Sequence, residues 1–390
     1  MWSYLGAAHT DRGDTNLVHP APLRVGLDAH VVGRRQTGNE TYLIELASAL
    51  ARRDDVRPIA YVDRGMLWPH PQGPLVSRLR WRSRYIRIPF ELPVRGALDR
   101  VSLLHVQYVA PPVSPVPVVA VIHDLSFVDI PEDLPRAMVL RMRAMVGWTV
   151  RLAPVVMAVS EFTRERVIDH YGLSPDRVVV TPNGVSGKWR PLEAEERCAR
   201  LTAGGLAGLP ERFVLAVGTR HTRKNLDRLV RVVAAIRASG DPDVGLVLAG
   251  PSGTGAAAIR SEVVRLRAGS WVRSVGYVPD EVLIALVGAA SAVAYPSRYE
   301  GFGLPILEAM ACGAVVVAAD LPSISEVARD GVILVDPESD DSMAAALSAA
   351  LTDRDVRARL TDAGPAIAAT FDWDRCAAAT VDAYRRALSS

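Results

Sequence analysis

At 390 residues the chain is long for one compact core and comfortable for two domains of ordinary size. Hydrophobic residues make up 49% and charged residues 23%, which excludes a disordered chain, and a formal charge of +2 gives no reason to invoke nucleic acid. Arginine supplies 43 of the 45 basic residues, so each of the two lysines stands out.

Residues 1–22 carry charges and no apolar h-region, so they read as a loose extension rather than a signal peptide. From Leu23 short apolar runs alternate with helical patterns, which predicts parallel sheets wrapped by helices: an α/β chain with two doubly wound halves. Leu23–Ala29 reads as a strand, and after a loop a helix opens near Asn39 with Leu43, Leu46, Ala47 and Leu50 on one face. Further strands fall at Leu103–Gln107, Val116–Ile122, Val155–Val159 and Arg177–Thr181. Ser160 suits the N-cap of a helix over Glu161–Tyr171, which Gly172 can close in a left-handed turn. Pro182–Pro191 is turn chemistry and reads as an interdomain linker.

The alternation then restarts. Strands are expected at Phe213–Val217, Val244–Ala249, Trp271–Gly276, Ala292–Tyr295 and Ala314–Ala318, with a helix over Leu226–Ala238 and a closing helix after Phe371. The domains expected are 23–186 and 187–370, with residues from about 371 packing back on the first. Ligands of such sheets bind beyond the carboxyl ends of strands, and two halves add a cleft between them.

The strand Ala292–Tyr295 is followed by Pro296-Ser-Arg-Tyr-Glu300-Gly301-Phe302-Gly303-Leu304-Pro305-Ile-Leu-Glu308, with Gly313 further on. Pro305 suits the first turn of a helix and Gly313 its far end. The two glycines let the backbone approach a ligand, and free N–H groups at the helix start favour an anion such as a pyrophosphate. Glu300 sits just before the helix and Glu308 inside it, so both carboxylates can flank one bound molecule. Carboxylates accept paired hydrogen bonds from vicinal hydroxyls, which a hexose and a ribose each offer.

This segment resembles the E-x7-E motif of the retaining glycosyltransferases of family 4, which have the GT-B fold of two facing Rossmann-like domains. The resemblance runs from about Leu23 to the C-terminus. It implies that Glu300 contacts the donor sugar, Glu308 the nucleotide ribose, and the Gly301–Leu304 amides the sugar and phosphates. Gly218-Thr-Arg-His-Thr-Arg223-Lys224-Asn225-Leu226 resembles that family's G-T-x-E-P-R-K-N-L, with His221 and Thr222 in place of Glu-Pro. Arg223 and Lys224 can neutralise a leaving diphosphate as the glycosidic bond breaks. Trp271–Pro279, with Gly276, Tyr277 and Val278, resembles the strand and loop whose backbone reads the base. In the first half, Gly38 stands where the family often has a two-glycine loop on the donor phosphates. His123, at the end of a strand, matches a histidine near the C6 hydroxyl and the reacting centre. Ser160 and Asn183 lie in family-like phrases and are expected to act as cap and hinge.

The resemblance therefore implies transfer of a hexose from a nucleoside diphosphate sugar, with GDP-mannose as the family-level donor, to an acceptor hydroxyl with retention. Polysaccharide, glycolipid or glycoconjugate assembly is the implied setting. No carboxylate presents itself as a covalent nucleophile, which suits a front-face route in which the leaving phosphate helps deprotonate the acceptor. Two rival readings remain, a sugar-nucleotide epimerase on the same fold and a non-catalytic sugar-nucleotide binder.

Other signals weigh less. Gly253-Thr-Gly255 imitates a dinucleotide fingerprint but lacks the acid at the end of the next strand, which argues against NAD. Asp241/Asp243, Asp353/Asp355 and Asp372/Asp374 resemble metal-holding pairs, yet none falls at the mouth of a sheet, so a metal-independent site with no cofactor is expected. Cys198, Cys312 and Cys376 lie far apart, which argues against disulfides or structural zinc and sets a reducing cytoplasm as the default. No apolar run reaches roughly 18 residues, so no membrane span is expected. Arg78, Arg80, Arg82, Arg84 and Arg87, interleaved with Trp81 and Tyr85, form a basic stripe. It reads either as a surface for an anionic acceptor or membrane, or as an edge strand whose charges block pairing. Met138–Leu152 reads as a half-buried helix, with peripheral membrane contact as the alternative.

Overall fold

The computed structural model describes residues 21–34 and 37–390, so most of the expected extension at 1–22 lies outside the described residues. Among the described residues thirteen strands form two all-parallel sheets. The first contains β1 (Leu23–Asp28), β2 (Val56–Asp63), β3 (Leu75–Leu79), β4 (Leu103–Gln107), β5 (Val118–Ile122), β6 (Val155–Ala158) and β7 (Val178–Val180), in the order 3-2-1-4-5-6-7. The second contains β8 (Arg212–Val217), β9 (Val244–Ala249), β10 (Val272–Gly276), β11 (Ala292–Tyr295), β12 (Val316–Ala319) and β13 (Ile333–Val335), in the order 10-9-8-11-12-13. Helices cover both faces, and β4, β5, β9 and β11 are buried along their whole length. That is why β5, β9 and β11 read as continuous apolar runs rather than alternating ones.

The helices that shape the cleft are α1 (Thr37–Ala51), α2 (Arg136–Leu152), α3 (Glu161–Tyr171), α4 (Leu226–Ala238), α5 (Asp280–Ala289), α6 (Leu304–Ala311) and α7 (Trp373–Ser389). α3 and α4 have the bounds read from sequence. Ser160 Oγ accepts the Thr163 N–H at 3.0 Å to cap α3, and Gly172 ends it at φ 63°. α7 crosses back to the first domain, where the Tyr384 hydroxyl lies 2.6 Å from His105 Nδ1 and Trp373 packs beside Tyr42. In each sheet the strand order reverses direction once, between β1 and β4 and between β8 and β11. The carboxyl ends at these switch points face one another across the cleft, where such folds bind ligands.

Three readings need correction. α1 opens at Thr37 rather than near Asn39, so Gly38 belongs to the first helical turn and not to a loop. The basic stripe is not one strand: β3 ends at Leu79 and the chain turns helical from Arg84, with a wide π-turn over Arg87–Glu91. Arg87 is buried, its Nε 3.8 Å from Asp28, because the helical turn carries every fourth side chain inward.

Candidate functional site

The cleft encloses about 640 Å3 and is lined by the first turns of α1 and by the loops after β4, β5, β8, β9, β10 and β11. From the second domain, β11 leads through Tyr299 and Glu300 into Gly303, which sits at φ 93° as the N-cap of α6. A side chain at that φ is strained, so glycine is required, and Pro305 in the first turn needs no N–H partner. Gly301 has a different need. A Cβ there would run into the carbonyl oxygen of His123 across the cleft. The Gly301 carbonyl accepts from Ser160 Oγ at 2.6 Å and Thr163 Oγ1 at 3.1 Å, both in the first domain, and the Glu300 carbonyl accepts from Ser323 Oγ at 2.6 Å. Two successive peptides of the turn are thereby fixed from both domains. Tyr299 adds a further tie, its hydroxyl donating to Asp129 Oδ2 at 2.9 Å.

Glu300 is 8% exposed and holds two cations from the loop after β8: Lys224 Nζ at 2.5 Å and Arg223 Nη1 at 3.2 Å. Burial alone would raise the Glu300 carboxyl, but the two cations outweigh it and hold it at about 2. The same Arg223 Nη1 also donates to the Tyr299 carbonyl at 2.7 Å, so one guanidinium nitrogen is shared between the Glu300 carboxylate and the backbone of the turn. The arrangement is a compact ionised triad at the mouth of the helix N-terminus. It places two positive charges beside the free N–H groups of the helix start.

Glu308, in the second turn of α6, is 9% exposed and stands in a different field. Burial, with like charge from Asp280 and Glu45, pushes its carboxyl well above the ordinary value, while Lys188 pulls the other way. Lys188 lies in the linker and bonds Glu45 Oε1 on α1 at 2.9 Å and Asp280 Oδ2 on α5 at 2.9 Å. One ammonium thus ties the two domains beside Glu308.

From the first domain, His123 Nε2 lies 2.8 Å from Gln107 Oε1, and the Tyr42 ring meets the imidazole edge-on at 4.7 Å. Burial lowers the imidazole to about 4, so it is neutral at physiological pH. Tyr108, at φ 60°, places its hydroxyl 3.0 Å from the Asp124 N–H, and both residues line the cleft.

Of the residues singled out from sequence, Gly38, His123, Gly218, Arg223, Lys224, Tyr277, Val278, Glu300, Gly301, Phe302, Gly303, Leu304 and Glu308 line this one cleft. Gly276 lies one residue behind it, with its carbonyl accepting from Gly250 N–H at 2.6 Å. A Cβ on Gly38 would meet nothing within 4 Å, so packing alone does not demand glycine there. Gly253 and Gly255, the dinucleotide imitation, instead pack against the backbone of Arg220 and His221. Among the described residues no group of three or more His, Cys, Asp or Glu converges as metal ligands. Sequence reasoning missed Tyr108, Asp124, Asp280 and Lys188. For Lys188 the signal was present in the scarcity of lysine.

Two facing doubly wound domains, with a glycine-rich turn at a helix N-terminus and two carboxylates at the cleft between them, define a GT-B architecture. The comparisons with known proteins agree. The chain matches the family model for glycosyl transferases group 1 over residues 205–366 and that for glycosyltransferase family 4 over residues 37–187. It is 34% identical to O-antigen chain mannosyltransferase B of Escherichia coli over 68% of this chain and 70% of that protein. It is 36% identical to a D-inositol 3-phosphate glycosyltransferase of Salinispora arenicola, of which it spans about half, 53%. In fold it is similar to a sucrose-phosphate synthase from Thermosynechococcus elongatus, with a TM-score of 0.74 at 22% identity over 93% of this chain and 98% of that one. It is likewise similar to Anabaena HepE solved with UDP and glucose, with a TM-score of 0.73 at 19% identity over 93% and 99%. The chain belongs to the GT-B glycosyltransferases.

Proposed function

We propose that the chain transfers a hexose from a nucleoside diphosphate sugar to an acceptor hydroxyl with retention at the anomeric carbon. The observation that carries this reading is the convergence of Glu300, Arg223 and Lys224 with the N-terminus of α6 in one cleft. The second domain grips the donor: Glu300 takes the sugar hydroxyls, Glu308 the ribose, and the backbone around Tyr277 and Val278 the base. The diphosphate lies against the free amides of α6, with Arg223 and Lys224 meeting the charge that grows as it leaves. These cations stand in for a metal. Neutral His123 offers a hydrogen bond to a sugar hydroxyl, and the first domain, including the first turn of α1 at Gly38, supplies the acceptor side. The bond from the anomeric carbon to the phosphate oxygen breaks with its electrons going to the diphosphate. The acceptor oxygen bonds to that carbon on the same face, and its proton passes to the leaving phosphate.

Mannose is the proposed sugar and GDP-mannose the donor, supported by the mannosyltransferase among the relatives; glycan assembly in the cytoplasm is the proposed setting. The test is a thermal-shift panel of GDP, UDP, dTDP and ADP followed by transfer assays, since stabilisation tracks affinity by mass action. GDP should stabilise most, and donor consumption should require an acceptor. No shift with any of the four would refute the reading, and conversion of the donor sugar without an acceptor would mark an epimerase.

A further inference from the structure

The first domain carries a second concavity, away from the ion triad. It encloses about 360 Å3 between the helical turns at Arg84–Pro89 and α2, with Val109, Ala110 and Pro112 as its floor and Ala144, Met145 and Trp148 as its far wall. The surface around it is apolar to an unusual degree. Tyr85 is 68% exposed and Trp148 54%, and Ile86, Phe90, Val94 and Leu98 form an exposed ladder four residues apart. Such a ladder marks one face of a helical stretch that its own domain leaves uncovered.

The charge around this face is mainly positive, and the Glu91 carboxylate beside the ladder is taken up by the backbone N–H groups of Arg80 and Trp81. Residues 76–90 and 136–152 contain nine arginines and no aspartate or glutamate. Arg80 stacks on Trp81 and Arg84 on Tyr85, at 5.5 and 5.1 Å from the ring centres. Among the described residues the guanidinium groups of Arg80, Arg82, Arg84, Arg136 and Arg141 pair with no carboxylate, although the Arg80 backbone N–H binds Glu91. Elsewhere arginines such as Arg166, Arg212 and Arg385 do. Apolar side chains ringed by unpaired arginines fit a surface with hydrocarbon beneath a layer of phosphate. A second copy of the chain does not fit, because a two-fold contact through this face would set arginine against arginine.

We propose that this face docks on an anionic lipid bilayer, with the groove and its aromatic rim entering the acyl boundary and the arginines meeting lipid phosphates. The site continues into the cleft: Tyr108 lines the cleft and the next residue, Val109, lines the groove. Docking therefore sets the cleft mouth beside the headgroup layer. On the transferase reading above, this suits an acceptor whose hydroxyl is carried on a lipid.

The test is flotation of the full chain with vesicles of phosphatidylcholine alone and of phosphatidylcholine mixed with phosphatidylglycerol. The chain should float only with the anionic vesicles and be released by high salt. Reversing two charges, in Arg82→Glu/Arg84→Glu, should lower the bound fraction by about ten-fold or more. Trp148→Ser should lower it by a smaller factor, and nucleotide-induced thermal shifts of both variants should match the parent, showing that they fold. The proposal is overturned if the chain stays unbound to anionic vesicles, if both variants float as the parent does, or if Trp148→Ser dissociates a dimer. Because flotation uses neither donor nor acceptor, its failure leaves the transferase reading untouched.

Discussion

Replacing Lys188 with methionine tests how the linker tunes the nucleotide end of the cleft. The ammonium contacts Glu45 and Asp280 at 2.9 Å each and, among the described residues, is the cation that opposes burial at Glu308. Two consequences separate by their pH dependence. Loss of the interdomain tie, whose lysine is about a third exposed, should cost about 1 kcal/mol at every pH, or roughly five-fold in nucleotide affinity. Loss of the positive charge moves Glu308 further up. A charge at this range in a partly wetted site is worth about 1–2 kcal/mol, which shifts its titration by on the order of one pH unit. An ionised Glu308 binds ribose hydroxyls about 1 kcal/mol better than a neutral one. Within the displaced window the variant should therefore lose roughly a further five-fold, and the excess should vanish as rising pH ionises Glu308 in both proteins. Isothermal calorimetry of nucleoside diphosphate binding across a pH series reads both parts. Lys188→Arg should restore the pH profile because it keeps the charge, and Glu308→Gln should flatten it in either background. A Lys188→Met profile that runs parallel to the parent, with no window of added loss, would refute the tuning of Glu308.

Other perturbations follow from the same contacts. Glu300→Gln frees Arg223 and Lys224 from their carboxylate, so nucleoside diphosphate affinity should hold or rise while single-turnover transfer falls by about 100-fold or more. A parallel loss of binding and turnover would contradict the assigned division of roles. Gly301→Ala should prise the turn away from the His123 carbonyl and cut turnover by at least about ten-fold, read by kinetics beside an unchanged far-ultraviolet dichroism spectrum. Thr163→Val, which removes one donor to the Gly301 carbonyl, should be milder. Burial lowers His105 to about 3 and His123 to about 4, so their stabilising effect is complete above 6.5 and is lost as pH falls towards those values. Each histidine should contribute a slope of about 1.4 kcal/mol per pH unit in that window, and the raised Glu308 works in the opposite sense. Urea denaturation should therefore show stability falling between neutrality and about pH 5, with a shallower slope in His105→Asn. Equal slopes in the two proteins would contradict the histidine assignment.

Much of this architecture is visible in the residues themselves, and what is not has identifiable causes. α3 and α4 were readable because an apolar period runs between clear punctuation: Ser160 and Gly172 for α3, and a strand end and polar turn before Leu226 for α4. β2 escaped because Pro58 sits inside it, and proline in a central strand argues against a strand; here Pro58 is in register with Val25 of β1. β3, an edge strand, was placed too late, over Arg78–Arg87, because Arg78 reads as one stripe with the arginines beyond Leu79. The turn at Glu300–Glu308 was legible since its glycines, proline and carboxylates are adjacent in sequence. The other half of its geometry comes from Ser160 and Thr163, about 140 residues upstream, with separations of 141 and 138. Ser160 was expected to be a cap and is one. No local pattern announces that the same hydroxyl also donates across the domain boundary.

The two lysines bring these points together. In a chain that uses arginine almost everywhere, Lys224 and Lys188 each sit against carboxylates of the same cleft, one at Glu300 and the other at Glu45 and Asp280 near Glu308. A guanidinium is a broad planar fork, whereas an ammonium is a compact charge whose three donors point apart. Lys188 uses that geometry to join carboxylates of separate domains, whereas Arg228 and Arg231 bridge carboxylates within the second domain. Lys224 needs compactness because Arg223 already occupies the other side of Glu300. The scarcity of lysine marked both positions equally. It was read at Lys224 because a recognisable motif surrounds it, and passed over at Lys188 because turn-like residues hide a partner 143 positions away. Composition can thus single out a residue whose function only the fold explains.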